Sequence, residues 1–219
     1  MNNCVLSWSG GKDSSLAAFL GINRDELSIG RLVATIDDKT GKNKFQGVPQ
    51  HLLEKQAELM NKPIDIIRLP ENCPNKEYIK IMKDMYDNYR EDGYQAVVYG
   101  DIYLEDIKKF RETKIHIDSI GSAYPLWGMS TQSLAELFID AGFKAVITAI
   151  DTEQLSEDIL GRQFDKQFLD DLPPSCDPCG ENGEYHSFVY DGPIFTNQVK
   201  YTTGKKYSEM NRFKYIEIK

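Results

Sequence analysis

Apolar and polar positions alternate along this chain with two periods, and the periods predict its elements. Nearly continuous apolar runs lie at residues 4–8, 31–36, 64–69, 96–99, 117–123 and 145–150. Runs this short and rich in β-branched residues read as strands buried on both faces. Between them Tyr78, Ile81, Met82, Met85, Tyr86 and Tyr89 fall on one face of a helix. Leu134, Leu137, Phe138 and Ala141 do the same, with Gly142 placed to stop that helix. A methionine and tyrosine stripe of this kind is core rather than a cofactor box. Strands alternating with amphipathic helices predict an α/β fold: a parallel sheet with helices on both faces.

In such sheets ligands gather beyond the carboxyl ends of the strands. The Ser9 loop, the Asp37-Asp38 turn and the Gly100-Asp101 turn all follow strands, so they are expected along one rim. Past residue 150 the pattern changes. Residues 151–172 are polar and helix-like and end at Pro173-Pro174; a Cys176-Asp177-Pro178-Cys179 segment and a glycine-rich turn follow. Strand-like runs then come at 187–190, 199–202 and 213–218. The expected organisation is a nucleotide-binding domain over 1–150 and a smaller mixed α/β substrate region over 151–219. The polar stretch 39–50 reads as a loop able to close over a ligand.

The stretch Ser9-Gly10-Gly11-Lys12-Asp13-Ser14 sits between the first strand and a helix. Paired glycines let backbone N–H groups converge, and the helix start adds unpaired N–H groups and a positive dipole end. That makes a phosphate seat, with Lys12 as a point charge and the serines as hydroxyl donors. The plainer reading is an ordinary Gly-Gly turn. The spacing is not that of the Walker A loop, which is longer.

It resembles instead the S-G-G-x-D-S loop of the PP-loop ATP pyrophosphatases, which cleave ATP between the α and β phosphates. Three further blocks are similar to the diphthine–ammonia ligase-related group of that superfamily: 100–106, Tyr124-Pro125-Leu126-Trp127, and Gly180-Glu181-Asn182-Gly183-Glu184-Tyr185-His186. The last block looks more like the bacterial branch. The resemblance implies a Rossmann-like (adenine nucleotide alpha hydrolase-like) ATP domain and a second, smaller domain. It implies ATP and Mg²⁺ as cofactors, and ATP-dependent amidation of a carboxylate by ammonia with release of AMP and pyrophosphate. The acceptor stays unidentified, a small molecule or a protein side chain.

On this reading Ser9, Gly10, Gly11, Lys12, Asp13 and Ser14 hold the nucleotide, joined by Ile36, Asp37, Gly100 and Asp101 along the rim. Asp13 and Asp101 are the candidate magnesium residues; Asp13 as a helix cap and Asp101 as a turn aspartate or ribose contact are the alternatives. Lys12, Asp13, Glu181, Glu184 and His186 are the candidate catalytic set, the last three able to place ammonia, take its proton or bind the acceptor. A polar hairpin turn at Asn182-Gly183 is the plainer alternative. Glu105 is expected to be solvated, and His51 and His116 to pack or face water.

Cys176 and Cys179 form one C-x-x-C. Zinc would need two more ligands, with Cys73 and His186 the loose candidates, and a persulfide pair would serve sulfur transfer. Incidental cysteines are the third reading. A sulfur-transfer enzyme and a non-catalytic ATP-binding module are therefore the rival functions. The net charge of −8 across 219 residues opposes polyanion binding. No apolar stretch reaches the ~20 residues of a membrane span. The chain opens directly on strand and loop, so the cytoplasm is the expected compartment. The β-rich tail beyond Tyr190 offers a sheet edge to a second copy.

Overall fold

The computed structural model describes residues 2–24, 27–118, 120–209 and 212–219. Five strands, β1 (Asn2–Ser7), β2 (Leu27–Asp37), β3 (Ile64–Leu69), β4 (Ala96–Val98) and β5 (Gly121–Ala123), form one sheet. Every pairing is parallel and the order is β3-β2-β1-β4-β5. The order reverses between β1 and β4, which opens a crevice above their carboxyl ends.

Alternation along the strands sends side chains to two covered faces. Val5, Val33 and Val97 meet Met82, Met85, Tyr86 and Tyr89 of α3 (Asn75–Glu91). Cys4, Leu6, Leu32, Ala34 and Val98 meet Leu52, Leu53 and Ala57 of α2 (Gln50–Leu59) and Ala18 of α1 (Lys12–Asn23). The stripe of Met and Tyr is thus core. After β4, helix α4 (Glu105–Phe110) runs into a π turn, Arg111–Ile115. α5 (Thr131–Asp140) ends where Gly142 turns with φ +87°.

The second sheet is antiparallel: β6 (Lys144–Asp151), β7 (Tyr185–Asp191), β8 (Thr203–Glu209) and β9 (Phe213–Ile218), ordered β7-β6-β9-β8. Here the sequence expectation needs correcting. The run at 145–150 is β6 and belongs to this sheet, not to the parallel one. Its apolar character misleads because both its faces are covered. Ala145 and Ile147 pack with Leu16 and Leu20 of α1 and Phe138 of α5, while Val146 joins the cluster around β1.

Four further expectations shift. Residues 151–172 are mostly turns, with a short 3-10 turn (Glu157–Ile159) and a single α6 (Lys166–Asp171) capped by Asp165, whose Oδ1 accepts from the Phe168 N–H at 2.8 Å. Gly161, at φ +87°, breaks any longer helix there. The run at 199–202 is not a strand but a connector. Val199 donates to Tyr190 O at 2.7 Å, and the strand begins at Thr203. The expected strand at 117–123 shortens to β5, and Ser119 lies outside the described residues. β2 extends earlier than expected because Leu27 and Ile29 are also buried.

α1 lies between the two sheets. Ala18 faces the β1–β2 cluster, while Leu16, Ala17 and Leu20 face α5 and β6. A helix covered on opposite sides has little polar surface of its own, and its N-terminus points at the crevice.

Candidate active site

The chain leaves β1 and turns at Gly10, where φ is +75°. A Cβ there would lie 2.8 Å from both Gln56 Oε1 and Leu53 Cδ2, so glycine is required for conformation and for space. Gly11 then caps α1. The turn is held from outside. Asn43 Nδ2 donates to Ser9 O at 2.6 Å, and the Val189 N–H of β7 donates to Gly10 O at 2.9 Å. Gln56, fully buried on α2, donates from Nε2 to Gly10 O (3.0 Å) and Val189 O (2.6 Å). Its Oε1 accepts the Trp8 indole N–H at 2.9 Å. On the other flank Gly100 presses on the start of α1; a Cβ on Gly100 would stand 2.8–2.9 Å from the backbone of Asp13 and Ser14.

Three N–H groups of the turn are occupied by serine hydroxyls at long range. Gly11 donates to Ser9 Oγ (3.3 Å), Ser9 to Ser14 Oγ (3.4 Å) and Lys12 to Ser187 Oγ (3.3 Å). Lys12 is 4% exposed, pairs with Asp13 Oδ2 at 3.0 Å and sits over the Tyr185 ring at 5.4 Å. Burial works against its charge, but Asp13, Cys179 and Glu181 outweigh burial and hold its pKa above the usual value. For Asp13 burial pushes the carboxyl up and Lys12 pulls it back; we give Lys12 as charged and Asp13 as its counter-ion. The Asp13 side chain keeps 31% of its surface open at the mouth of the site.

The second wall is the loop before β7. Asp177 Oδ1 accepts from the Cys179 N–H (2.8 Å) and the Glu181 N–H (3.3 Å). Glu184, fully buried, accepts from Asp177 N–H (2.8 Å), Asn182 N–H (2.9 Å) and Asn182 Nδ2 (3.0 Å), so both its oxygens are engaged within the loop. Glu181 differs. Its Oε2 is buried without a hydrogen-bond partner. Burial first, and Asp13 second, push its carboxyl up to about 8. A hard oxygen left unpartnered beside a phosphate seat suits a cation held jointly with phosphate oxygens, which is how magnesium is usually bound.

His186 lies against the Phe45 ring, centroids 5.8 Å apart, and burial followed by Lys12 lowers its pKa to about 4, so the imidazole is neutral. Phe45, exposed at 61%, brings the 39–50 loop to this edge. Cys179 is buried, donates its thiol to Thr131 O at 3.2 Å, and burial raises its pKa; burial also raises that of Cys176. Among the described residues no group of three or more His, Cys, Asp and Glu is placed to hold a metal ion.

Other residues singled out from the sequence fall as follows. The Ile36 side chain is in the core, and Asp37 Oδ1 closes its own turn by accepting from Lys39 N–H (3.0 Å) and Thr40 N–H (2.7 Å). Asp101 stands on the rim but is committed to Arg111, with contacts of 2.9 and 3.3 Å. Arg111, offered by the π turn, also lies 4.1 Å from the Tyr99 ring centroid. Glu105 is exposed, as expected. Gln56, Asn43, Ser187 and Arg111 carry no functional mark in the sequence. Each acts on a residue that the fold brings near, although Ser187 directly follows the His186 block.

A glycine turn seated at the order reversal of a parallel sheet, with a lysine at the helix start, is the arrangement of the PP-loop ATP pyrophosphatase class. Residues 1–120 match the diphthamide synthase N-terminal domain and residues 130–219 the diphthamide synthase C-terminal domain. The chain belongs to the diphthamide synthase family. A search of curated proteins finds no match. Among solved structures it aligns with a predicted subunit of tRNA methyltransferase from Methanocaldococcus jannaschii at 17% identity and TM-score 0.39, over 72% of this chain and 82% of that one. It also aligns with the U34-tRNA thiolase NcsA from Methanococcus maripaludis, which carries a [4Fe-4S] cluster, at 13% identity and TM-score 0.38, over 63% of this chain and 56% of that one. No helix among the described residues is long and apolar enough to cross a membrane.

Proposed function

We propose that the protein is an ATP-dependent, amide-forming ligase that adenylates an acceptor carboxylate and releases pyrophosphate and then AMP. The observation that carries this reading is the meeting of two unlike walls: an anion seat around Gly10–Lys12 and, against it, the unpartnered carboxylate oxygen of Glu181. The seat suits the β and γ phosphates, with Lys12 neutralising the charge that grows on departing pyrophosphate. An acceptor carboxylate oxygen attacks the α phosphorus, the bond to pyrophosphate breaks, and an acyl-adenylate forms. Ammonia then attacks the acyl carbon and AMP leaves with the carboxyl oxygen it acquired.

Asp13 and Glu181 are the residues that would hold magnesium when it binds, and the ion would supply charge neutralisation to the phosphates. Where the cation rests on Asp13 alone, Glu181 is instead suited to take the proton lost by the attacking amine. Glu184 shapes the loop that presents Glu181, and neutral His186 lines the same edge. Sulfur transfer draws no support from the two cysteines, because a transferring sulfur needs an accessible thiolate and both thiols are buried with raised pKa. The test is to supply ATP, magnesium, ammonium and a panel of carboxylate-bearing metabolites. AMP and pyrophosphate should appear together with a carboxamide product. Release of ADP and phosphate, or a thiolated product, would reject the reading.

A further inference from the structure

The anion seat is lined with hydroxyls, and one of them does not come from the loop. Ser9 and Ser14 belong to the turn itself. Ser187 comes from β7, 175 positions away from Lys12, yet its Oγ takes the Lys12 N–H at 3.3 Å. Two other contacts fix that strand against the turn. The Val189 N–H donates to Gly10 O, and a Cβ on Gly11 would stand 3.0 Å from Ser187 O. β7 therefore lies on the glycine turn as a neighbouring strand would, and Gly11 is what allows its approach. Ser187 is 2% exposed, and it follows the loop carrying Glu181 and His186.

We propose that the Ser187 hydroxyl is a phosphate-contacting group supplied by the second sheet: it stands in for a phosphate oxygen on the Lys12 N–H and turns to donate to that oxygen when the seat fills. A hydroxyl can accept in one state and donate in the other without moving its carbon frame. The long N···O distance marks a contact that is readily exchanged. His186 precedes Ser187 on the strand and its imidazole feels the Lys12 charge, so its ring signals report whether the seat is occupied. This rests on the reading of Gly10–Lys12 as a nucleotide phosphate seat and adds a residue to it.

The test uses the full chain with inorganic pyrophosphate and ATP as probes, titrated by calorimetry. The His186 ring signals are followed by NMR, which is simplified by there being 3 histidines in all. Ser187→Ala should weaken binding of both probes by about tenfold or more, the worth of one hydrogen bond to a charged group. The same change should remove the shift of the His186 resonances on pyrophosphate addition. Ser187→Thr should keep both affinity and shift; if the alanine variant does not fold, Ser187→Cys, which keeps the volume, should lose them. Binding and His186 shifts that are the same with and without the hydroxyl overturn the proposal while leaving the seat intact. Failure of the wild-type protein to bind either probe overturns the seat itself, and this proposal with it.

Discussion

The two loops that meet at the site are stabilised in opposite ways. The glycine turn is held from outside, by Gln56, Asn43 and β7, and contributes mainly backbone N–H groups. The Asp177–Glu184 loop is held from within, by its own carboxylates closing on its own N–H groups. The first needs small residues and fitted neighbours, because a Cβ at Gly10 or Gly100 would collide with what packs against it. The second is tied mainly by its own groups and presents Glu181, whose Oε2 is buried without a hydrogen-bond partner. Two carboxylates three positions apart, one engaged and one unpartnered, show how a loop separates its scaffold from its chemistry.

The comparison breaks most visibly at Gly100. Gly100→Ala drives a methyl into the backbone of Asp13 and Ser14, and we expect a loss of about 3 kcal/mol in chemical denaturation together with ATP affinity. Next is Gln56→Leu, which strips partners from Gly10 O, Val189 O and the Trp8 N–H. It should cost about 2 kcal/mol, read as a lower denaturation midpoint.

The carboxylate pair sharpens the contrast. Glu184→Gln should lower the melting temperature, because an acceptor of three N–H groups is altered. Glu181→Gln should do the reverse. The folded pKa of Glu181 is raised to about 8 above its unfolded value, so wild-type stability is greatest in acid and falls as pH rises through 8. The glutamine variant loses that fall and should melt higher than wild type at pH 9, with the two alike at pH 4, while losing turnover. A variant that melts lower at pH 9 would place Glu181 with Glu184 as scaffold. The smallest effect is at His186. Its folded pKa of about 4 lies below its unfolded value, so stability declines as pH drops from about 6.5 toward 4. His186→Gln should flatten that decline in a thermal melt series.

What the chain discloses in advance follows the same division. The glycine turn is readable because positive φ at Gly10 and close approach at Gly100 restrict the residue type itself. The apolar runs of β1, β3 and β4 are readable because burial on both faces forbids polar residues. β6 carries the same mark for a different reason, which is why its sheet is mistaken. Gln56 and Ser187 leave no mark at all: a glutamine on a helix and a serine on a strand are ordinary until the fold sets them 46 and 175 positions from their partners. Glu181 and Glu184 look alike in sequence and separate only when their hydrogen bonds are traced.

Helix α1 has one more consequence. A fragment ending at residue 120 would retain the glycine turn and every strand before β5, yet leave Leu16, Ala17 and Leu20 facing water where α5 and β6 now lie. The nucleotide half is therefore not a cassette that evolution or an engineer can transplant alone, and its partner half must travel with it.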